Sequence, residues 1–165
     1  IRIVDFKDSS VDLSNLKYLL KETQGKIARY TISNNDLYIS IAGTIGLVGF
    51  VPDVLDGANL TENAAKIVIK KEFNKKFLGY FLISSLGQNQ INDLTVKTSQ
   101  PKLALNKIES IEIITPDIDE QSKIVKVLSN IDEKILINKQ IKNKLAELKR
   151  GLMQDLLSGS VMVAV

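Results

Sequence analysis

Cysteine and histidine are both absent from the 165-residue chain. Without cysteine there is no disulfide framework, thiolate nucleophile or sulfur metal site. Without histidine the chain lacks the usual general base, the usual zinc ligand and a physiological pH switch. There is also no apolar run of about 18 residues and no signal-peptide pattern at the N-terminus. We therefore expect a cytoplasmic protein with no membrane partner and no metal site. The composition disfavours catalysis, although an enzyme built only from carboxylates, lysines and hydroxyls remains an alternative.

The chain also has little excess of charge of either sign. The formal net charge is only +3, with 44% hydrophobic and 25% charged residues. Residues 1–116 carry 14 basic and 12 acidic side chains, and residues 117–165 carry 8 and 7. This balance permits nucleic-acid binding but does not demonstrate it.

Proline and glycine are missing from residues 117–150, which predicts one long helix over about 117–159. At about 1.5 Å per residue, roughly 40 residues span roughly 60 Å. Apolar residues recur along it in steps of three and four, the pattern of a coiled-coil seam, and a lone helix cannot bury such a seam. The predicted pairing residues are Ile124, Leu128, Ile131, Ile135, Ile141, Leu145, Leu148 and Leu152.

The spacing of apolar residues in the seam is interrupted at Asn138, which lies three residues after Ile135 and three before Ile141. A buried polar residue at such a position fixes the register and number of paired helices. Alternatively, Asn138 faces water and Ile137 takes the inward place. Both alternatives stay open on the sequence.

Ahead of this helix, the pattern predicts an α+β fold: a strand-rich head with one or two packed helices, followed by a single long coiled-coil-forming helix. The domain boundaries are 1–116 for the head, 117–159 for the helix and 160–165 for a tail. Predicted strands cover 1–6, 27–32, 37–41, 47–51, 64–69 and 108–114. A helix is expected over 73–86, ending at 88–92, and a short turn or helix at 103–107. Asp117 and Glu120 form a pair typical of a helix start.

Two stretches carry possible binding chemistry. The sequence GTIG at 43–46 matches a nucleic-acid-binding GXXG loop in letters, but that loop joins two helices and this one lies between strands. Its ordinary interpretation is a hairpin turn in which glycine supplies a positive φ. The sequence KTSQPK at 97–102 places amide and hydroxyl side chains beside lysines, as a surface that contacts bases and phosphates would, although a solvated loop has a similar composition.

Enzyme signatures are weak. Pro116-Asp117 with Asp132-Glu133-Lys134 resembles a nuclease pattern in letters only, because these residues lie on or at the start of the long helix. Three further acids, Asp53, Asp56 and Glu62, are candidates for a magnesium site. A loop rich in acids is more often simply solvated.

The order of several short motifs carries a family resemblance. The sequence DLYISIAGTIG at 36–46 is followed by LTEN at 60–63, QPKLAL at 100–105, IITP at 113–116 and EQSKI at 120–124, and the helix ends with LKRGL and LLSG. In this order they resemble one half of the specificity subunit of type I restriction-modification enzymes. The likeness spans essentially the whole chain.

This resemblance implies a DNA target-recognition domain on a helical spacer. In that family two such domains each read half of a split duplex target, and paired helices set the distance between the halves. The helices dock methyltransferase subunits, which bind S-adenosylmethionine, and through them restriction subunits. The specificity subunit itself is not catalytic, so the resemblance implies no enzyme activity and no cofactor for this chain. Only one head and one helix are present here. A shortened chain, a natural half-subunit that dimerises through the helix, and one part of a fused enzyme remain alternatives.

On this basis the head is expected to bind duplex DNA. Lysine and arginine side chains would hold phosphates, hydroxyl and amide side chains would read bases, and two glycines would allow close approach of the backbone. The candidate DNA-binding residues are Arg29, Gly43, Thr44, Gly46, Asn59, Thr61, Lys97, Thr98, Ser99, Gln100, Lys102 and Lys107. The competing hypothesis is an adaptor whose head binds protein and whose helix oligomerises.

Overall fold

A computed structural model describes residues 1–96 and 99–163. Its elements are β1 (Phe6–Lys7), β2 (Ser10–Val11), α1 (Lys21–Gln24), β3 (Leu37–Ser40), β4 (Val48–Phe50), β5 (Ala64–Ile67), α2 (Lys75–Ile83), α3 (Ser85–Leu94), α4 (Leu105–Ile108) and α5 (Ile118–Leu157). Short 3-10 helices cover Ile3–Asp5, Gly25–Tyr30 and Asp53–Leu55. The chain divides into a first unit, Ile1–Ser122, and a second unit that begins at Lys123. In the described part of the chain, no helix has the length and apolarity needed to cross a bilayer.

Strand β3 is the centre of the first unit. It pairs antiparallel with β4 on one side and β5 on the other, and all four of its residues are buried. Successive side chains of a strand point to opposite faces. Leu37 and Ile39 accordingly pack with α2 and α3, whereas Tyr38 packs with Ile32, Val51 and Leu60 on the other face. The predicted strands at 37–41, 47–51 and 64–69 are confirmed, with trimmed ends.

Two predicted strands near the N-terminus are wrong. Residues 27–32 are apolar enough for a strand, but residues 25–30 form a 3-10 helix, and strand-like bonding is limited to Thr31 opposite Asn59. At the N-terminus, Arg2 and Asp5 bond to each other through backbone and side chain and close a 3-10 turn, so β1 begins only at Phe6. At the N-terminus, the local hydrogen bonds between Arg2 and Asp5 override strand propensity.

The helix predicted over 73–86 is two helices. Ser84 adopts ψ 164°, ends α2 and caps α3 by accepting a hydrogen bond from the Gly87 N–H. Gly87 is buried against Leu82, where a Cβ would lie 2.7 Å from the Leu82 Cα. The break therefore lets α3 fold back closely on α2. The described part of the head thus holds two small sheets, four α-helices and three short 3-10 helices, with more helix and less strand than the sequence pattern predicts.

The predicted strand at 108–114 is also wrong. Its first residue ends α4, and the remainder has no strand partner among the described residues. The side-chain amide of Gln90 on α3 instead bonds both backbone groups of Glu112: its Nε2 donates to the carbonyl and its Oε1 accepts from the N–H, each at 2.9 Å. One amide side chain thus takes the place of a neighbouring strand.

Helix α5 begins as predicted, because Asp117 Oδ1 accepts a hydrogen bond from the Glu120 N–H at 2.8 Å. In its first turn Gln121 is fully buried. Gln121 Oε1 accepts from the Asn74 N–H at 2.8 Å, and its Nε2 donates to the carbonyls of Glu72 at 3.1 Å and Pro116 at 3.0 Å. These bonds fix the start of α5 to the loop before α2. One long C-terminal helix is therefore confirmed.

Candidate functional site

Three chain segments meet at the end of β3. The N–H groups of Ile41 and Ala42 donate to the Asn63 carbonyl at 2.8 and 3.3 Å, just before β5. The Leu103 N–H donates to the Ile41 carbonyl at 3.0 Å, and Lys102 bridges to Ala42. We call this region, comprising residues 42–44, 63 and 99–102, the β3-end surface. The sequence predicted two of its three segments separately, and the structure brings them together.

The turn from β3 to β4 is a hairpin, as its ordinary interpretation predicted. Fully buried Ser40 holds it, since Ser40 Oγ donates to the Thr44 carbonyl at 2.5 Å and accepts from the Leu47 N–H at 2.8 Å. Gly43 has φ 71° with open space around it, and Thr44 is exposed. This anchoring leaves the tip of the turn open to a ligand.

Gly46 lies on the inner side of the same turn. It has φ 85°, is buried, and accepts a hydrogen bond from Gln88 Nε2 at 3.0 Å. A Cβ there would lie 3.1 Å from both Gln88 and Ile91. Packing against α3 explains why a glycine is needed at this position. Gly46 is buried, so its predicted close approach to DNA stays a prediction.

The loop before α4 contributes exposed polar side chains to the β3-end surface. Its ends are closed by a hydrogen bond from the Val96 N–H to the Lys102 carbonyl at 3.1 Å. Ser99, Gln100 and Lys102 are exposed. The predicted contacts Lys97 and Thr98 lie outside the described residues.

Two predicted base-reading residues have structural bonds instead. Asn59 is half-buried, and its Nδ2 donates to the Ile27 carbonyl at 3.2 Å. The hydroxyl of Thr61 donates to Glu62 at 3.3 Å. Neither residue belongs to the β3-end surface. The Asn59 side chain holds the 3-10 helix Gly25–Tyr30 in place.

Arg29 borders a groove of about 450 Å³ whose other walls include Ile41, Glu62, Lys66 and Leu105. Its guanidinium stacks over the Tyr30 ring at 4.8 Å and donates to the Tyr30 hydroxyl at 3.0 Å. Ile41 also belongs to the hydrogen-bonded end of β3, so this groove adjoins the β3-end surface. Lys107 is exposed on α4, two residues beyond Leu105.

Two of the candidate metal-binding acids, Asp53 and Asp56, accept hydrogen bonds from Asn34. Asp56 Oδ1 accepts from the Asn34 N–H at 2.8 Å, and Asp53 Oδ1 accepts from the Asn34 side chain at 3.0 Å. The backbone bond from Asn34 lowers the pKa of Asp56. These carboxylates hold the turn before β3. In the described ranges, no group of three His, Cys, Asp or Glu residues is arranged to bind a metal.

Sequence reasoning missed Asn63, which is exposed on the β3-end surface. Its signal was its place directly before a predicted strand, beside the loop that holds Thr61. The surface combines hydroxyl, amide and ammonium groups around a turn with positive φ. Such groups hydrogen-bond to base edges and phosphates. The arrangement suits hydrogen bonding to a polar ligand.

The long helix presents a second surface. Its predicted pairing residues are exposed except Ile124, which is half-buried; Leu145 is 59% and Leu148 58% exposed. Toward the C-terminal end, Leu145, Leu152 and Met153 help to line an apolar groove of about 340 Å³. Asn138 and Ile137 are both exposed, so both alternatives for the seam stay open. An apolar stripe of this extent indicates a binding surface.

Comparison with known proteins gives a consistent result. Residues 4–147 match the family model described as type I restriction modification DNA specificity domain. The chain is 28% identical over 160 residues to the EcoBI specificity subunit of Escherichia coli, matching 96% of this chain and 33% of that protein. It is 25% identical over 154 residues to the MjaVIII specificity subunit of Methanocaldococcus jannaschii, matching 90% and 36%.

A solved structure shares the fold. The HsdS subunit of Thermoanaerobacter tengcongensis superposes with a TM-score of 0.58 at 22% identity, over 75% of this chain and 33% of that chain. The present chain thus spans about a third of the length of the curated relatives that it matches.

Proposed function

This chain belongs to the family of type I restriction-modification DNA specificity domains, and from that premise we propose that it recognises one half of a split duplex DNA target. The observation that carries the proposal is the β3-end surface, where Thr44, Asn63 and Gln100 stand beside Lys102 on loops fixed by main-chain bonds. Exposed groups on a fixed framework are what sequence readout requires, because base edges are distinguished by the positions of donors and acceptors.

Different side chains perform different parts of the recognition. Lys102, Lys107 and Arg29 bind phosphates, which gives affinity and register without reading sequence. Thr44, Ser99 and Gln100 hydrogen-bond to base edges, together with Asn63. Gly43 allows the turn to approach the groove closely. Lys97 and Thr98 belong to the same loop and retain their predicted roles on sequence alone.

In this proposal the long helix pairs the chain with a second copy. Residues 1–116 form the recognition domain, 117–159 the spacer and 160–165 a tail. A second helix covers the exposed seam of α5, supplied by a second copy of the chain. A two-fold pair presents two identical heads, so the target is palindromic around a spacer. The second half of a longer subunit would cover the same seam in a chain of the relatives' full length.

The same helices dock methyltransferase subunits, and through them restriction subunits. The methyltransferase subunits supply S-adenosylmethionine and all of the methylation chemistry. The role of this chain is to choose the site.

Binding of the 165-residue chain to a fluorescent 30-base-pair duplex of mixed sequence tests the proposal. We expect affinity to fall steeply between 50 and 200 mM NaCl, because each neutralised phosphate contributes about −0.9 to the slope of log K against log salt. Lys102→Ala should make the slope shallower by about 0.9. Lys71→Ala, the same charge change at an exposed lysine outside the proposed site, should leave it unchanged.

Absence of DNA binding at 50 mM NaCl, or binding that ignores salt, would overturn the proposal and favour the protein-binding adaptor. Equal slopes for the two variants would remove Lys102 from the DNA surface. Selection of a preferred duplex from a randomised pool then identifies the half-site.

A further inference from the structure

Residues 17–29, which we call the 17–29 segment, carry a local excess of positive charge. Lys17, Lys21, Lys26 and Arg29 lie there with a single acid, Glu22, and all five are exposed. The segment therefore has a net charge of +3, which attracts a polyanion at this place on the head.

The same segment exposes large apolar side chains between its lysines. Tyr18 is 90% exposed, Leu20 76% and Leu19 53%. Three adjacent large apolar residues on a surface mark a contact site when a partner of suitable chemistry exists. Lys17 and Lys21 line one cavity together with Tyr18, which indicates a partner with closely spaced negative charges around an apolar surface.

The segment is held firmly where it returns to the head. Asn59 Nδ2 donates to the Ile27 carbonyl at 3.2 Å, and the Leu60 N–H donates to the Tyr30 carbonyl at 2.8 Å. The Ile32 N–H donates to the Ala58 carbonyl at 2.9 Å. These bonds order the backbone before binding, which lowers the entropy that association would cost.

The 17–29 segment also adjoins the surface already described. Residues 57–59 line a cavity of about 220 Å³ together with Tyr18 and Lys21. Residues 60–66 continue to the groove that Arg29 shares with Ile41 at the end of β3. The basic segment is therefore continuous with the proposed DNA surface through one stretch of chain.

We propose that the 17–29 segment is a second DNA contact, in which Lys17, Lys21 and Lys26 bind phosphates of the duplex and Tyr18 packs on the sugars of a groove between them. This inference rests on the proposed function and deepens it. Apolar side chains flanked by basic residues are a recurring means of contacting the sugar-lined minor groove. The contact is independent of base sequence, so it adds affinity and orients the head while the β3-end surface reads bases.

A matched pair of double variants of the 165-residue chain tests the proposal on the same mixed-sequence duplex. Lys17→Ala with Lys21→Ala removes two charges from the segment; Lys71→Ala with Lys76→Ala removes two exposed charges elsewhere on the head. The first pair should make the salt slope shallower by about 1.8 and weaken binding on the order of tenfold or more at 50 mM NaCl. The second pair should leave the slope at its wild-type value. Circular dichroism and thermal melting verify that both variants fold.

Tyr18→Ala supplies an independent readout. It should weaken binding at every salt concentration without changing the slope, since no phosphate contact is lost. If the wild-type chain binds DNA and both double variants share its slope, the 17–29 segment makes no DNA contact, while the proposed function stands. If the wild-type chain does not bind DNA, the proposed function fails and this inference with it.

Discussion

Replacement of Gln121 offers a sharp test of how the first turn of α5 is attached. Its amide bonds three backbone groups at 2.8 to 3.1 Å and has no exposed surface. Gln121→Leu keeps the approximate volume but removes all three bonds. The Asn74 N–H and the carbonyls of Glu72 and Pro116 then lose their side-chain partner in partly buried surroundings. One hydrogen bond contributes about 0.5–1.5 kcal/mol net, so the loss of three should lower the free energy of unfolding by about 1.5–4.5 kcal/mol.

That loss is a large share of a typical domain stability of about 5–15 kcal/mol, so it is measurable by urea unfolding followed by circular dichroism. Gln140→Leu is the matched control, because Gln140 is exposed on the same helix and its replacement should change stability by less than about 0.5 kcal/mol. A loss below about 1 kcal/mol for Gln121→Leu would refute the reasoning, since it would mean that water or local rearrangement satisfies the freed groups.

Three further predictions follow from other parts of the chain. Leu145→Asp should lower the mass measured by size exclusion with light scattering from about twice 18.3 kDa to 18.3 kDa while the head stays folded, because it places a charge in the seam; a variant that remains a dimer would show that another face pairs. Gly46→Ala should lower the melting temperature more than Gly43→Ala, because both have positive φ but only Gly46 has neighbours 3.1 Å from the added Cβ; equal shifts would contradict the packing argument. Burial disfavours the charged form of Asp5, but the hydrogen bonds and charge of Arg2 outweigh it and lower its pKa, so its stabilising contribution is present above about pH 4 and is lost as pH falls through the folded-state pKa. Asp5→Asn should therefore flatten the loss of stability on acidification from pH 5 to pH 2, and an unchanged acid profile would show that the Arg2 pair does not matter.

The sequence predicted elements whose signal is local and repeated. Strands β3, β4 and β5 alternate or run apolar between turn residues, and α5 has an uninterrupted apolar period with Asp117 at its start. The hairpin at 43–46 followed from glycine spacing. These features depend on residues close together in the chain, so one sequence suffices.

Two of the errors arose where hydrogen bonds from a distant side chain hold the backbone. Residues 108–114 look like a strand, but the Gln90 side chain takes the backbone bonds of Glu112. Residues 27–32 look like a strand too, but Asn59 holds that backbone as a 3-10 helix. The same long-range bond occupies the Asn59 side chain, whose role in base reading stays a prediction. Such bonds join residues 22 and 32 positions apart, and a periodicity in the sequence cannot reveal them.

The way in which the β3-end surface is tied together bears on how such a protein changes over evolutionary time. Asn63, Ile41 and Leu103 join their segments through main-chain atoms, which every residue type except proline provides in full. The buried Ser40 side chain fastens the turn, and the Gln88 side chain donates to Gly46 in the same turn. Exposed positions such as Thr44 and Asn63 can therefore be exchanged without loosening the framework. A lineage that carries this scaffold can acquire a new preferred target through a few surface substitutions and keep its fold.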